Sequence, residues 1–463
     1  MTSRRRRLAV TLSTLVAVVS GGAAIALAYS PDGGEDATTS AASGVAVLSP
    51  RRAPDGLRAL VADTRLGSRV EAFAASISDA SCLVINANAA TIYSHNPDQA
   101  LIPASALKLT TAAAFLATVG GKGTFATVVR GAKPDASGTV SGNLALIGGG
   151  DPLLATSGYV ATRKHPPNPA TDIAKLAASL AKAGVRRVTG GITVNDSRFD
   201  NERRVPTWKP AYTATGDVGP LGALAVDDGF ASYAPRLIAA PDPAIAAGDA
   251  LRRALNAVGV TVDGPTTRAP ASATNVLASL TSAPFAEIVG EMLRESDNNS
   301  AELLLKELGR AAGAEPATRT SGAAARVTAL KGLGVSGDAV RAIDGSGLDR
   351  SDRATCGALL ATLTTKPGGY DLEDMLAVAG KTGTLNDRFT ASPLAGRLRA
   401  KTGSLEDVTA LVGLVDPAAR IKLRFAFISN GDFSDVGGKA LQDRLVATLA
   451  TYPEAPDAAS LAP

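Results

Sequence analysis

Between Pro103 and Gly121 the chain reads PASALKLTTAAAFLATVGG. Pro103 stops the preceding extended stretch, Ser105 opens a helix, and the glycine pair from Gly120 closes it. The helix body is apolar on nearly every side, so it must be buried rather than lie on a surface. A buried helix needs a substantial body around it. The chain has 463 residues, of which 45% are hydrophobic and 19% charged. That is enough for two or three domains with a sizeable core. This buried helix also carries a lysine, Lys108, in its first turn.

The segments on either side of residues 121–280 share one texture. Upstream, a helix begins near Leu57 and strands are predicted around Cys82–Asn86 and Thr91–Ser94. Downstream, helices are predicted at about 284–294 and 299–312, and strands at 397–402, 408–415 and 421–429. A last amphipathic helix is expected over 435–452, with Leu441, Leu445 and Leu449 on one stripe. Strands joined by short turns imply an antiparallel sheet, which helices from both ends of the chain must cover. Residues 121–280 differ. Short strand-like runs (Asn143–Ile147, Ile192–Asn195) are broken by GGGDP at 148–152 and NDSRFD at 195–200. Helices are expected near 171–184 and 248–258. The reading is an α+β protein. Residues 57–120 and 281–455 form one domain, residues 121–280 are an inserted α/β domain, and 456–463 are a tail.

The N-terminus places this body outside the cytoplasmic membrane. Arg4 to Arg7 precede an apolar run from Leu8 to about Ala28, ending Ala26-Leu27-Ala28. This is the pattern of a secretory signal peptide, and the run is also long enough, at roughly 20 residues, for a membrane anchor. Residues 1–28 are therefore a signal peptide or an anchor, and 29–56, rich in Gly, Ser, Thr, Pro and Asp, a linker. Membrane contact is expected only through this segment. The net charge is +4, and Arg4 to Arg7 carry four positive charges, so the body is near neutral. No basic stripe points to nucleic acid. The two cysteines, Cys82 and Cys356, could pair in an oxidising compartment. Buried unpaired cysteine is the slightly favoured reading. With two His and two Cys, no zinc site is expected.

Three short motifs carry the chemistry. In Ser105-Ala-Leu-Lys108 the serine and lysine are three apart on a helix and share a face. A hydroxyl is a weak nucleophile until a base takes its proton. Lysine can be that base when burial and nearby positive charge lower its pKa. In Ser296-Asp297-Asn298, between two helices, side chains two apart point the same way in extended backbone. They could relay a proton and bond a substrate amide, or simply cap the next helix. Lys401-Thr402-Gly403 lies on a predicted strand. There an extended peptide could pair with the edge, Lys401 and Thr402 could hold a terminal carboxylate, and Gly403 would permit close approach. A second copy, Lys381-Thr382-Gly383, has no strand alternation leading into it and is read as a turn. The only histidines, His95 in SHNPDQ and His165 in KHPPNP, are expected to be exposed loop residues, which leaves a Ser-His-Asp triad little to draw on.

With these motifs in this order, the chain resembles the D-alanyl-D-alanine carboxypeptidase/endopeptidase family, the class C low-molecular-mass penicillin-binding proteins. PASALKLTTAAA, SDNNSAELLLKELG, DGSGLDRSDRAT (344–355), GTLNDRF (383–389), RAKTGSLEDVTALVG (399–413), LALIGGGDPLL and VNDSRFD carry the resemblance over about 57–452. It implies a penicillin-binding transpeptidase/β-lactamase-like domain with an insertion after the first motif, and no cofactor or metal. It implies that Ser105 is acylated by the penultimate D-Ala of peptidoglycan stem peptides. Lys108 would be general base, and Ser296, Asn298 and Lys401 would shuttle protons and hold substrate. Backbone N–H groups of Ser105 and Ser404 would form the oxyanion hole, beside Thr402 and Gly403. Asp151 and Arg350 resemble positions lining a pocket for the stem's side chain. β-Lactams would acylate the same serine. A β-lactamase of class A shares the three motifs, but places SDN much nearer the nucleophile and adds a Glu that activates water. A non-catalytic wall-binding protein would have no need of Ser105, Lys108 and Lys401.

Overall fold

The structure, a computed structural model, describes residues 54–165, 169–270, 274–416 and 421–456. The predicted signal segment, the linker up to residue 53 and residues 457–463 lie outside these. The framing elements are, in chain order, α1 (Pro54–Ala74), β1 (Ser81–Ala87), β2 (Ala90–His95) and α2 (Lys108–Thr118). Then come β3 (Ala126–Arg130), β4 (Leu144–Ile147), α3 (Ala174–Lys182), β5 (Ile192–Asn195), α4 (Pro243–Ala257), β6 (Thr266–Arg268) and β7 (Val276–Thr281). The last part holds α5 (Phe285–Glu295), α6 (Asn298–Ala311), α7 (Arg319–Gly332), α8 (Cys356–Thr364), β8 (Ala377–Val378), β9 (Leu398–Leu405), β10 (Val408–Val415), β11 (Leu423–Asn430) and α9 (Asp435–Leu449).

A six-stranded antiparallel sheet in the order β8-β9-β10-β11-β1-β2 joins the two ends of the chain. The register Cys82↔Ile428 and Val84↔Ala426 fixes which residues share a face. Cys82, Val84, Val412, Ala426 and Ile428 point to one core, where they meet α2, α5 and α8. Leu83, Ile85, Leu411, Phe425 and Phe427 point to the other, under α1 and α9. Sequence ends thus meet on one face, because period-2 strands buried on both sides need helical cover on both.

The region between the first two motifs builds a separate five-stranded mixed sheet, β6-β5-β4-β3-β7, in which β4, β5 and β6 run parallel. Leu176 and Leu180 of α3 and Leu251 of α4 seal its core against Val129, Leu144, Leu146, Ile192 and Val194. Helix α4 starts five residues before the expected 248 because Asp242 caps it, accepting from Ala244 N and Ile245 N, with Pro243 at the first position.

Two expectations change. The helix predicted from Ser105 begins as a 3₁₀ turn, Ala104–Leu107, and turns α-helical only at Lys108. Such tightened first turns are common at helix N-termini. The cysteines are also not unpaired: Cys82 on β1 and Cys356 at the start of α8 form a disulfide across the helical face of the sheet. The sequence separation of 274 residues left this contact invisible in the chain. Closing so long a loop restricts the unfolded chain. The Cys82→Ala/Cys356→Ala protein is expected to lose about 2–5 kcal/mol of stability, read as a lower denaturant midpoint with an unchanged native spectrum.

Candidate active site

Ser105 stands half-buried in the 3₁₀ turn, one residue after Ala104, whose φ of 46° is in the left-handed region. That conformation costs a non-glycine residue of order 1–3 kcal/mol and persists where the surroundings enforce it. Here they do. Gly403 of β9 lies so close that a Cβ would stand 2.9 Å from Pro103 O and 3.2 Å from Ala106 N. On the other side a Cβ at Gly347 would stand 2.0 Å from Ala104 O. The serine is thus clamped between a strand and a loop. Gly347 also has φ of 83°, so Gly347→Ala is expected to lower stability by several kcal/mol and to slow acylation of Ser105, measured by thermal melting and by penicillin labelling.

Lys108, one helical turn on, is fully buried. Its Nζ lies 2.9 Å from Ser105 Oγ, 2.6 Å from Asn298 Oδ1 and 2.8 Å from the Ser346 carbonyl oxygen. Burial pulls its pKa down to about 8, against the opposing charges of Asp344, Glu302 and Asp297. About a tenth of the amine is then neutral at pH 7, hydrogen-bonded to the hydroxyl whose proton it would take.

The second motif sits where α5 gives way to α6. Ser296 adopts the left-handed conformation with φ of 62° at the C-terminus of α5, and Asp297 caps α6 by accepting from Ser300 N at 2.9 Å. The backbone is a sharp inter-helix corner, not the extended stretch expected. The cap reading holds for Asp297, which leaves Ser296 and Asn298 for the two lysines. Lys401, fully buried on β9, donates to Ser296 Oγ at 2.8 Å and to Thr402 O at 2.8 Å. Burial drives its pKa well down, and the charge of Lys108 drives it further; Glu295 opposes this. The two lysines therefore resist being charged together.

These groups open onto a cleft of about 460 Å³, whose walls include Ser105, Ser296, Asn298, Thr402 and Ser404. The structure brings Ser105, Lys108, Ser296, Asn298, Lys401, Thr402, Gly403 and Ser404 together. Arg350 stands at the rim, donating to the carbonyl of Glu406 at 2.6 Å, and Glu406 is itself a wall residue. Asp151, by contrast, is not among the residues that wall this cleft. It is 4% exposed, and its Oδ1 accepts from Leu153 N at 2.9 Å, which ties the carboxylate into its own turn. Lys381 is exposed in a turn, as predicted. Three residues on, however, Thr384 reaches the cleft and lies 3.0 Å from Thr402 Oγ1. His95 ends β2 rather than sitting in a turn. His165 is not simply exposed: its Nδ1 lies 3.0 Å from Glu295 Oε2.

The inserted region supplies cleft residues that sequence reasoning missed. Asn298 Nδ2 donates to the carbonyl of Asp217 at 2.7 Å, so its amide already bridges Lys108 and the insertion. Asn299, next in line and buried, accepts from Gly219 N at 2.9 Å and donates to Asp228 O at 3.2 Å. Tyr212 and Lys209 add to the wall, and Lys209 Nζ crosses to Glu406 Oε2 at 2.5 Å. The doubled asparagine in SDNNS was the one available signal. Among the described residues no cluster of His, Cys, Asp or Glu could hold a metal ion.

Two stretches, residues 69–235 and 230–452, match the model of the D-Ala-D-Ala carboxypeptidase 3 (S13) family. The chain belongs to that family. A D-alanyl-D-alanine carboxypeptidase of Actinomadura sp. (strain R39) is 30% identical, with 82% of both chains covered. Carboxypeptidase DacB of Mycolicibacterium smegmatis is 31% identical, with 75% of both covered. Among solved structures, penicillin-binding protein 4 of Haemophilus influenzae superposes with a TM-score of 0.68 at 21% identity, over 82% of this chain and 98% of that one. A penicillin G-acylated predatory endopeptidase of Bdellovibrio bacteriovorus superposes with a TM-score of 0.51 at 19% identity, over 81% and 93%. These two solved structures share the α+β fold of this chain, a sheet flanked by helices.

Proposed function

We propose that this S13-family protein is a serine DD-peptidase that removes the terminal D-Ala of peptidoglycan stem peptides and also opens D-Ala cross-links, through an acyl-enzyme on Ser105. The observation that carries this reading is the buried Lys108 amine, 2.9 Å from Ser105 Oγ at the floor of the cleft. Ser105 Oγ attacks the carbonyl of the penultimate D-Ala and passes its proton to neutral Lys108. The oxyanion faces the N–H groups of Ser105 and Ser404, of which Ser105 N lies in a helical first turn without an intrahelical acceptor. Thr402 Oγ1 and Lys401 hold the substrate's terminal carboxylate, whose negative charge favours the protonated lysine that burial and Lys108 otherwise oppose. Ser296 Oγ, bonded to Lys401, relays to the leaving amine the proton that Lys108 took up, which leaves Lys108 neutral again for the deacylating water. Water then releases the acyl group, and β-lactams stop at the acyl stage on the same serine. Arg350 at the rim is assigned to the stem's side chain.

The DD-peptidase acts outside the cytoplasmic membrane. Arg4 to Arg7 followed by the apolar run to Ala28 support export by a signal peptide or anchor. The Cys82–Cys356 disulfide fits an oxidising compartment. Among the described residues no helix is long and apolar enough to cross a membrane. The activity test is release of free D-Ala from an N-acylated tripeptide ending in D-Ala-D-Ala. Release by the wild type and none by Ser105→Ala supports the reading; equal release by both contradicts it.

A further inference from the structure

Behind Lys108 lies a buried carboxylate that the reaction above does not use. Glu302 is four residues past Asn298 on α6, so both side chains leave the same face of the helix. It is 1% exposed. Its Oε1 accepts from Gly345 N at 2.9 Å and from Ser346 N at 2.8 Å, while Oε2 has no hydrogen-bond partner. The carbonyls of the same two residues face α2. Gly345 O accepts from Thr111 Oγ1 at 2.8 Å, and Ser346 O accepts from Lys108 Nζ at 2.8 Å. The turn is therefore pinned to Glu302 on one side and to the nucleophile helix on the other. Residue 346 alone separates the carboxylate from the lysine: its N–H meets Glu302 and its carbonyl meets Lys108.

We propose that Glu302 is a positioning residue: through the Ser346 backbone it aims Lys108 Nζ at Ser105 Oγ, and across that residue its charge acts on the lysine. This rests on the reading of Lys108 as the base. The Ser346 N–H that Glu302 holds and the Ser346 carbonyl that Lys108 meets flank one Cα, so fixing the first fixes the direction of the second and with it the bond that orients Nζ. The charge works in the same direction as the geometry. When Lys108 takes the serine proton, a buried ammonium forms, and Glu302 is one of the few groups near enough to offset it.

The other charged groups are accounted for. Glu302 faces Lys108, Asp344, Arg319 and Arg326. Lys108 also faces Asp344, Asp297 and Lys401. Asp344 is engaged by Trp208 Nε1, Gly347 N and Asp349 N, and Asp352 beside it is pushed up to about 10 by burial and by Asp344, so it is neutral at pH 7. Arg326 Nη1 and Nη2 reach the carbonyls of Asp344 and Ala342. Burial raises Glu302 itself to about 8, with Asp344 adding to the rise. Glu302 and Lys108 therefore titrate in the same range, as a linked pair: the carboxyl gives up its proton most readily when the amine holds one.

The test is the pH dependence of penicillin acylation in the full body of the protein, for wild type, Glu302→Gln, Glu302→Ala and Lys108→Ala. Glutamine keeps the acceptor oxygen and places its amide beside Ser346 Oγ, which lacks a partner. Without the negative charge the lysine loses its proton more easily. The midpoint of the acid limb in Glu302→Gln should fall by about half a pH unit or more, with a plateau rate within a few-fold of wild type. Alanine leaves the turn unpinned and should lower the rate at every pH by about tenfold or more. A wild-type midpoint in Glu302→Gln overturns the proposal, as does a wild-type rate in a folded Glu302→Ala. If Glu302→Ala does not fold, the glutamine midpoint alone decides. A Lys108→Ala protein that keeps the wild-type acid limb also overturns the proposal, through its premise: the base is then another group, and the earlier reading fails first.

Discussion

Lys108→Ala is expected to slow acylation of Ser105 by penicillin about 10³–10⁴-fold, near the upper end for loss of a general base, while the protein stays folded. Among the described residues Lys108 alone is hydrogen-bonded to Ser105 Oγ. The described structure places Asn298 Oδ1 and the Ser346 carbonyl beside the Lys108 amine, and neither accepts a proton near neutral pH. The two histidines lie elsewhere: His95 at the end of β2, and His165 against Glu295. Removing a buried amine also removes the cost of burying it, so the variant should not melt markedly lower. In the wild type, acylation should rise with pH as Lys108 loses its proton and level off above about 8. The sign follows from the role: a base works in its neutral form, which dominates above its pKa. Stopped-flow acylation across pH 5 to 10 checks both points, and an acylation rate that falls through this range would contradict the assignment.

Lys401→Ala is expected to lower both acylation and D-Ala release by about 10²–10⁴-fold, whereas Lys381→Ala leaves them within about twofold. Both lysines precede Thr-Gly, and only the fold separates them. Lys401 lies on the central side of an eight-residue strand with its Nζ on Ser296, and is fully buried. Lys381 is exposed in a turn. Loss of Lys401 removes the cation for a substrate carboxylate and leaves Ser296 without its partner. The effect should be larger on substrates that carry the terminal carboxylate than on an ester lacking it. Measuring kcat/KM for a matched pair of substrates separates this electrostatic role from a general loss of structure.

Much of this was legible in the chain because it is local. The three motifs fall where their flanking sequence predicts: at the start of a buried helix, between two helices and on a strand. The strands 408–415 and 423–430 read clearly from apolar content and short turns. What stayed hidden depends on contacts far apart in sequence. The pairing of Cys82 with Cys356 needs β1 and α8 stacked on one core. Asp151 follows a glycine with φ of 89°, and the resulting turn buries a carboxylate that motif likeness alone put in the cleft. Asn299 and Asp217 join the site only because the inserted region docks on the N-terminus of α6. No motif singles out Glu302 in the sequence; the 345–347 turn packed over it marks it in the fold.

The central claim is that Ser105, activated by a buried lysine, is the acylated residue of an S13 DD-peptidase. The measurement that tests it most directly is intact-protein mass after incubation with penicillin, followed by peptide mapping of the adduct. The account predicts one penicillin per chain, located on the peptide that contains Ser105, and no adduct on a folded Ser105→Ala protein. An adduct mapped to any other residue, or a folded wild type that takes up no penicillin, would contradict it.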